Sequence, residues 1–322
     1  MIKKLKKIAA ITAATAYLTT AALAIDDGPR MYWNLPQDLN VLQTYAWNVN
    51  GNMLNYTGAV SNPDLNVNIN VLLFGYNRVS SIAGHTAIYT VILPVGNADA
   101  SLQDTIPVAG VNVPINREQT SRGIGDIYLQ GTFNLIGGEA VSMEEYMTTY
   151  KQSTLLSVLV GLSTPTGEYN GHQSVNMGLN RWAGRIAFPF VQTLGDWKPG
   201  EITTLEITPG VWFYGDNDDY LNGRTLKQDP LYTIETHLTR DLTPTAFVSL
   251  DYMYQTGGET QVVGARGTTA KSDAQNIDTL GLSIGYMFNP STQFVFRYNA
   301  ALSPKSDELD MGIMEFNLNY LF

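Results

Sequence analysis

The sequence predicts an all-β fold, a transmembrane antiparallel up-and-down β-barrel of about 12 strands with both chain termini in the periplasm. Three observations predict it: period-two alternation along many short stretches, connections that alternate between long and short, and aromatic residues near the strand ends. Alternation indicates strands, because successive side chains of a strand point to opposite faces. Long loops at one end and short turns at the other are typical of bacterial outer-membrane barrels.

The clearest strand is the carboxyl-terminal one, Met314 to Phe322. Its apolar parity consists of Met314, Phe316, Leu318, Tyr320 and Phe322, and its other parity contains Glu315, Asn317 and Asn319. One face suits lipid and the other suits an aqueous lumen. We therefore expect the strand that ends at Phe322 to close the barrel and to be the segment that the barrel-assembly machinery binds. An edge strand of a soluble sandwich also alternates, so this strand alone leaves that alternative open.

The amino terminus predicts a secretory signal peptide over residues 1–24. Four lysines within the first seven residues precede an apolar run from Ile8 to Ala22, and Ala22-Leu23-Ala24 is a small-x-small cleavage site. A transmembrane anchor is less favoured, because the run is short and rich in Ala and Thr. Cleavage after Ala24 leaves residues 25–322 as a single outer-membrane barrel domain.

Charge and cysteine content exclude several classes of protein. The signal peptide holds four of the 19 basic residues and no acid, which leaves 15 basic and 29 acidic residues in the mature chain, a net charge of −14. So acidic a chain is not expected to bind nucleic acid. The absence of Cys excludes disulfides, thiolate metal sites, a Cys nucleophile and a lipid-anchored amino-terminal Cys.

Twelve alternating stretches are predicted as strands, an even number, as bacterial single-chain barrels require. Before the closing strand they are Leu39–Trp47, Leu65–Leu73, Thr86–Leu93, Asp126–Leu135, Thr154–Leu162, Arg181–Phe190, Leu205–Phe213, Tyr232–Leu238, Ala246–Tyr254, Leu280–Phe288 and Phe294–Leu302. The first alternates weakly. The second sets apolar residues on one side against three asparagines on the other, and Ile88 and Ile92 blur the third. From the fourth onward, large apolar residues mostly alternate with polar, charged or small ones.

The connections provide an independent argument for a barrel. The predicted extracellular loops are long and polar: they include Val95–Gly123, Ser163–Leu179, Gly215–Leu231 and Gln255–Thr279. The predicted periplasmic turns are mostly short, such as Thr239–Thr245 and Asn289–Gln293. One long periplasmic connection departs from this rule, and within it Val141 to Tyr150 is predicted as a short helix.

Aromatic residues cluster at the ends of the predicted strands and face outward in the register above. The predicted membrane-interface aromatics at the periplasmic end are Phe188, Phe190, Tyr286, Phe288, Phe294, Tyr320 and Phe322. Aromatic rings settle at the boundary between headgroups and hydrocarbon. Their position predicts outer-membrane lipid as a partner of the exterior surface.

Five short segments together resemble a known family. They are Gly-Ile-Gly-Asp at 123–126, Pro-Thr-Gly-Glu-Tyr at 165–169, Asn-Arg-Trp at 180–182, Phe-Tyr-Gly-Asp-Asn-Asp-Asp at 213–219 and Gly-Gly-Glu-Thr at 257–260. Their order and spacing resemble the bacterial family named for the MetA pathway of phenol degradation, a set of outer-membrane barrels described as transporters. The resemblance runs from about Thr120 to the end. It implies transport, but it supplies no catalytic residues, and the family name is weak evidence for the substrate.

Nine ionisable residues are predicted to face the lumen, where they form a candidate solute path. They are Asp126, Arg181, Arg185, Glu206, Glu235, His237, Asp251, Arg297 and Glu315. Inward placement avoids the roughly 2–4 kcal/mol that an Arg or Lys costs on the lipid face at mid-bilayer. Two interpretations stay open: these charges tune the selectivity of a conducting path, or they form ion pairs that brace or plug a narrow barrel.

Other inward-facing residues have weaker functional interpretations. Tyr128, Trp212, Phe247 and Met253 suit either a slide for greasy or aromatic solutes or simple filling of the interior, and filling is favoured. The aspartates of the loop at 216–219 are oxygen-rich, but the Glu that completes a calcium loop is missing, so a solvated acidic loop is favoured and no metal is predicted.

A hydrolase is the least favoured hypothesis. His237 shares a predicted face with Glu235, and Ser249 and Asp251 lie on the next strand. No Gly-x-Ser-x-Gly or His-Glu-x-x-His motif occurs. We therefore predict no catalytic residue and no cofactor.

The first functional hypothesis is passive uptake of small solutes of hydrophobic or aromatic character. An energy-coupling plug domain is not expected, because the mature amino terminus is too short for one. The alternative is a structural or adhesive barrel with a plugged lumen that acts through its extracellular loops.

Overall fold

The structure, a computed structural model, describes residues 18–19, 26–51, 53–54, 60–61, 65–108, 111–173, 175–265, 267–302 and 311–322. The predicted signal peptide and its cleavage site at Ala24 lie outside the described residues, apart from the two-residue strand Leu18–Thr19. That strand pairs in parallel with Val175–Asn176.

Twelve antiparallel strands form a closed barrel, as predicted. They are β1 (Asn40–Gly51), β2 (Leu65–Ile82), β3 (His85–Val108), β4 (Tyr128–Ile136), β5 (Thr154–Ser163), β6 (Ala183–Ala187 and Phe190–Thr193), β7 (Thr203–Tyr214), β8 (Leu231–Thr243), β9 (Ala246–Gly257), β10 (Gln275–Asn289), β11 (Thr292–Ala301) and β12 (Met311–Leu321). Each barrel strand pairs with the next, and β12 closes the barrel against β1, from Val41 opposite Leu321 to Gly51 opposite Met311. The closing strand predicted from the last residues is therefore confirmed.

The prediction of a loop over Val95–Gly123 was wrong. β3 continues to Val108, and its second half pairs with the strand Val111–Ile124 in a long hairpin. This hairpin extends beyond the part of β3 that pairs with β4, residues 87–92. A hairpin that rises above a lipid-facing band needs no apolar face, so the alternation that identifies the other strands is weak here.

Proline divides β6, which was predicted as one strand over Arg181–Phe190. Its two segments are interrupted at Phe188 and Pro189. Proline has no N–H to donate to a sheet. The neighbouring backbone groups are still paired, because Ser157 N donates to Pro189 O at 2.8 Å and Phe188 N donates to Pro209 O at 2.9 Å. Both segments therefore keep their place between β5 and β7.

The connections differ in size at the two ends of the barrel. We call the end at which β1 begins and β12 ends, with the short turns 83–84, 244–245 and 290–291, the turn rim, and the opposite end the loop rim. The predicted short helix is present at the turn rim as α1 (Met143–Thr148), where Ser142 and Glu145 form a capping box. Among the described residues, no helix is long and apolar enough to cross a membrane.

Smaller strands come from the loops. Two of them, Met53–Leu54 and Val60–Ser61, form a hairpin between β1 and β2. Four more form the accessory sheet: Asn217–Tyr220, Arg224–Gln228, Thr260–Gly264 and Gly267–Lys271. This sheet connects the loop after β7 to the loop after β9.

The barrel exterior carries a band of exposed apolar side chains. Leu282 is 64% exposed, and its neighbours Leu280 and Ile284 are also exposed. Among the predicted interface aromatics, Phe188, Tyr286, Phe288, Tyr320 and Phe322 are exposed, and Phe190 and Phe294 are partly buried. The Tyr286 and Phe288 rings lie 5.3 Å apart, as neighbours along the turn rim.

Near the loop rim, the exterior of β1 and β2 is polar instead. Val67, Ile69 and Val71 are buried inside the barrel, so the apolar side of β2 faces the lumen here. The residues that alternate with them face outward and include asparagines that bond to one another. Asn48 donates to Asn70 at 2.7 Å, and Asn70 donates to Asn68 at 2.6 Å. The apolar exterior band therefore ends below these asparagines.

An arginine scan of the exterior tests this boundary. Leu282→Arg is expected to destabilise the folded barrel in bilayers by about 2–4 kcal/mol, because it places a charge within the apolar band. Asn70→Arg is the matched control, and it should cost about 0–1 kcal/mol. Reversible denaturant unfolding in lipid measures both. Equal costs for the two substitutions would mean that the band does not lie where these exposed side chains place it.

Candidate functional site

The amino-terminal segment, residues 26–38, lies inside the barrel. Its side chains and backbone bond to inward-facing residues of several strands around the lumen. At its far end, Asn34 N donates to Gln152 Oε1 at 2.9 Å and Asp38 N donates to Val79 O at 3.1 Å. The lumen is thus crossed by a stretch of chain that precedes the first barrel strand.

Asp26 occupies the centre of this contact. Its carboxylate lies 3.1 Å from His237 Nε2 and 3.6 Å from Arg297 Nη2. Burial alone would raise the pKa of Asp26, but His237 and Arg297 outweigh it and hold that pKa well below its usual value. Gly28 is required beside it, because its φ is +105° and a Cβ there would lie 2.2 Å from Arg297 Nη1. The ionised carboxylate therefore links the segment to β8 and β11.

Asp27 and Glu235 share one guanidinium. Arg185 Nη1 donates to both oxygens of Asp27, at 2.9 and 2.8 Å, and Nη2 donates to Glu235 Oε1 at 2.7 Å. The Asp27 N–H donates to Glu235 Oε2 at 3.0 Å. Arg185 lies on β6 and Glu235 on β8, so this group connects two strands through the segment.

Arg30 and Trp33 make a third contact. Arg30 Nη1 lies 2.7 Å from Asp241 Oδ1, and its N–H donates to Glu206 Oε2 at 2.8 Å. Trp33 Nε1 donates to Glu206 Oε1 at 3.0 Å. The Arg30 guanidinium also lies over the Phe247 ring, 4.1 Å from its centroid. Phe247 thus contacts the segment and contributes to filling the interior.

Seven of the nine predicted lumen residues belong to this network around the segment. They are Arg185, Glu206, Glu235, His237, Asp251, Arg297 and Glu315, all buried. Sequence reasoning missed their partners on the segment, Asp26, Asp27, Arg30 and Trp33. The amino terminus was considered only as too short for an energy-coupling plug domain, although about a dozen residues are enough to reach across a barrel at ~3.3 Å per residue. The charged Asp-Asp-Gly-x-Arg stretch behind the signal peptide was the available signal.

The other two predicted residues, Asp126 and Arg181, both lie near the loop rim. Asp126 Oδ1 accepts from Gly167 N at 2.7 Å and Oδ2 accepts from Leu179 N at 2.8 Å. Burial raises the pKa of the Asp126 carboxyl even though these hydrogen bonds favour its ionised form. Asp126 thereby fixes both ends of the loop 167–179, which leads directly to Arg181.

The five segments that carry the family resemblance converge here. Asp126 ends the first segment, Gly167 lies in the second and Arg181 in the third. Asn217, in the fourth, donates to the Tyr169 hydroxyl at 2.9 Å. Gln228, which accepts from Arg181, donates in turn to Gly258 O, in the fifth, at 3.4 Å. These motifs, scattered in sequence, build one loop assembly at the mouth of the barrel.

Aromatic residues line the lumen between the two sites. The Tyr128 and Trp212 rings lie 5.9 Å apart, and the Arg185 guanidinium is 5.4 Å from the Trp212 centroid. Trp212 packs with Ala183, Leu231 and Met253 in a buried apolar cluster. These residues fill the interior of the structure.

The acidic loop and the surroundings of His237 form neither a calcium loop nor a catalytic site among the described residues. In the acidic loop, Asp216 pairs with Lys227 at 2.8 Å and Asp218 accepts from Thr225 at 3.1 Å. His237 Nδ1 lies 2.8 Å from Asp251, but the Ser249 hydroxyl donates to the same carboxylate instead of to His237. Because a nucleophile needs its base within hydrogen-bond reach, these contacts do not form a catalytic triad.

One buried group has the composition of a metal site. Ligand atoms of Asp26, Glu235 and His237 lie within 4.8 Å of one another. All three side chains are already bonded in the network, and Arg185 and Arg297 contact two of them. A cation placed there would meet two guanidinium groups, so the arrangement favours ion pairing within the protein.

The comparisons with known proteins agree with this architecture. The family model described as MetA-pathway of phenol degradation matches residues 51–306. No curated protein sequence matches the chain. The structure of an outer membrane channel from Pseudomonas putida F1 is similar over 92% of this chain and 99% of that one, with 18% identity and a TM-score of 0.71. At that identity, the likeness supports the fold alone.

Two further solved structures are more distant. The transport unit of the autotransporter AIDA-I from Escherichia coli is 8% identical over 97% of each chain, with a TM-score of 0.48. The Pseudomonas putida toluene transporter TodX is 9% identical over 95% of this chain and 94% of that one, with a TM-score of 0.45. Neither score is high enough to inform the argument.

Proposed function

Because the chain belongs to the family described as MetA-pathway of phenol degradation, we propose that it is an outer-membrane channel for passive uptake of small hydrophobic or aromatic solutes. The observation that carries this proposal is the content of the lumen. A barrel of about eight strands is just filled by its own side chains, whereas this one also holds a separate stretch of main chain, residues 26–38. An interior of that width admits a small solute once the segment shifts.

The proposed location follows from the exterior surface. The apolar band with aromatic residues at the turn rim suits outer-membrane lipid. Residues 1–24 are proposed to direct secretion and to be removed after Ala24. The strand that ends at Phe322 is the proposed contact for the barrel-assembly machinery. Under this orientation, the turn rim faces the periplasm and the loop assembly faces outside.

The proposed mechanism requires the amino-terminal segment to move or to leave a narrow path beside it. The segment contacts the barrel strands mostly through charge-assisted hydrogen bonds, which are strong only while donor and acceptor stay aligned. Aromatic residues such as Trp212 then offer contacts to an aromatic solute. No step of this path needs an energy source, so flux follows the concentration gradient.

Planar-bilayer recordings test the channel. We expect the mature chain to conduct ions above protein-free bilayers, and a variant lacking residues 26–35 to conduct severalfold more, because deletion empties the lumen. Uptake of labelled phenol or toluene by porin-depleted cells that express the protein then tests the solute class. A deletion variant that inserts as a folded barrel and conducts nothing would refute the proposal.

The occupied lumen also favours a second candidate, a structural or adhesive barrel that acts through its loops. The accessory sheet gives those loops a defined shape outside the barrel wall. The same recordings discriminate between the two candidates. If neither the full chain nor the deletion variant conducts ions, the result would support the structural barrel.

A further inference from the structure

Arg181 differs from the other buried arginines of the lumen. Arg30, Arg185 and Arg297 each lie within 4 Å of a carboxylate, at 2.7, 2.8 and 3.6 Å. Arg181 is 2% exposed, and within the described part of the chain it has no such partner. Its buried Nε and Nη1 groups donate to no hydrogen-bond partner, and only Nη2 donates, to Gln228 Oε1. Among the described residues, this buried cation is thus left without a carboxylate in ion-pair contact.

The nearest acidic groups are occupied elsewhere. Asp216 pairs with Lys227 at 2.8 Å, and Asp126 accepts the backbone N–H groups of Gly167 and Leu179. Burial lowers the pKa of Arg181 to about 10, which leaves the guanidinium charged at neutral pH. An uncompensated buried charge is costly, so this position favours an anion from outside the chain.

Further unsatisfied polar atoms lie around Arg181. Its guanidinium sits over the Tyr214 ring, 4.8 Å from the centroid, and the buried Tyr214 hydroxyl has no hydrogen-bond partner. Gln275 is fully buried, with both amide atoms unpaired. A Cβ on Gly258 would lie 3.2 Å from Gln275 Nε2 and 3.3 Å from Gln228 Nε2, so Gln275 adjoins the glutamine that Arg181 contacts. Three residues with unpaired buried donors, Arg181, Tyr214 and Gln275, are therefore linked through the Tyr214 ring and Gln228.

An apolar wall adjoins these donors. Tyr214 packs against the buried cluster that contains Trp212, Leu231 and Met253. Tyr128 packs on the same cluster from β4. The site accordingly combines a cationic, donor-rich end with an aromatic side. That combination fits a ligand with an anionic head and a flat apolar body.

We propose that Arg181, with Tyr214 and Gln275, binds the carboxylate of a small aromatic acid, whose ring packs against Trp212. This inference rests on the proposed channel, because it specifies one class of solute for it. The carboxylate would supply the acceptors that the Arg181 and Tyr214 donors lack.

Equilibrium binding to the purified, folded mature chain at pH 7.5 tests this site. The probes are benzoate, its neutral analogue benzamide, and acetate, which has the charge but no ring. We expect benzoate to bind about tenfold more tightly than either analogue, a difference of one charge-assisted hydrogen bond or one ring contact. Arg181→Met should reduce the affinity for benzoate to that for benzamide. Tyr214→Phe should weaken benzoate binding severalfold.

Arg224→Met is the matched control, since it removes an arginine of the accessory sheet at the same rim and should leave benzoate binding unchanged. Thermal unfolding provides a second readout. Arg181→Met should not lower the Tm, because it removes an uncompensated charge. A lower Tm together with unchanged benzoate binding would assign Arg181 a structural role and overturn the proposal.

The outcomes separate this site from the channel. If wild-type protein binds benzoate and benzamide equally, or if acetate binds as well as benzoate, the aromatic-acid site is wrong even when the protein conducts. If benzoate binding depends on Arg181 but neither the full chain nor the variant lacking residues 26–35 conducts, the site stands and the channel fails.

Discussion

Arg185→Met is expected to weaken the docking of the amino-terminal segment by about 3–5 kcal/mol, the cost of leaving a buried ion pair without one partner. Arg185 donates to Asp27 at 2.9 and 2.8 Å and to Glu235 at 2.7 Å, so its loss leaves two carboxylates without their shared cation. Their mutual repulsion then pushes Asp27 away from β8. Such a cost changes the ratio of docked to undocked segment by about two to four orders of magnitude.

Cysteine labelling measures this release. The chain contains no cysteine, so Met31→Cys introduces a single thiol on the half-buried segment. We expect a maleimide to label it slowly in the parent and much faster in combination with Arg185→Met. Arg240→Met, which removes an exposed arginine from β8, is the matched control and should not change the rate. Equal labelling with and without Arg185 would mean that this ion pair does not hold the segment.

Asp126→Ala is expected to destabilise the loop assembly by about 1–3 kcal/mol for each of the two backbone donors it leaves unpaired. The carboxylate accepts from Gly167 N and Leu179 N and is 1% exposed, so water cannot readily replace it. Because the loop 167–179 leads to Arg181, its release should also displace that guanidinium.

Hydrogen exchange tests this prediction by reporting local opening. The amides of Gly167 and Leu179 should exchange about tenfold faster, or more, in Asp126→Ala, since about 1.4 kcal/mol corresponds to a factor of ten. Asp126→Asn keeps one carbonyl oxygen and should protect one of the two amides. Unchanged exchange at both amides in the Ala variant would contradict the role of Asp126 as the anchor of this loop.

The strands and the closure could be predicted from the sequence because a barrel imposes local rules. The alternation of Met314 to Phe322 fixes which side chains share a face, and the strand count is even when the first strand begins and the last strand ends at one rim. The alternation rule failed where a strand does not lie between lipid on one side and a polar lumen on the other. The hairpin after Pro94 rises above the apolar band, and on β2 Val67 and Ile69 face a lumen that is itself apolar at that depth.

The candidate sites depended on contacts that no local pattern contains. The ionisable residues on β6 to β12 could be predicted as buried together, since a charge on the lipid face is costly. Their partners could not, because Asp26 and Asp27 lie about 160–270 residues away from Arg185 and Arg297 in sequence. The same holds for Arg181, whose lack of a carboxylate is a property of its surroundings.

By itself, the sequence determined the class of fold, the parity of most strands and the separation of charged from apolar side chains. These features follow from the two-residue period of a strand placed between two different solvents. Only the tertiary structure decided what fills the lumen and which buried charge stays unpaired. Those outcomes depend on distances between groups far apart in the chain, which become fixed when the barrel closes around its own amino-terminal segment.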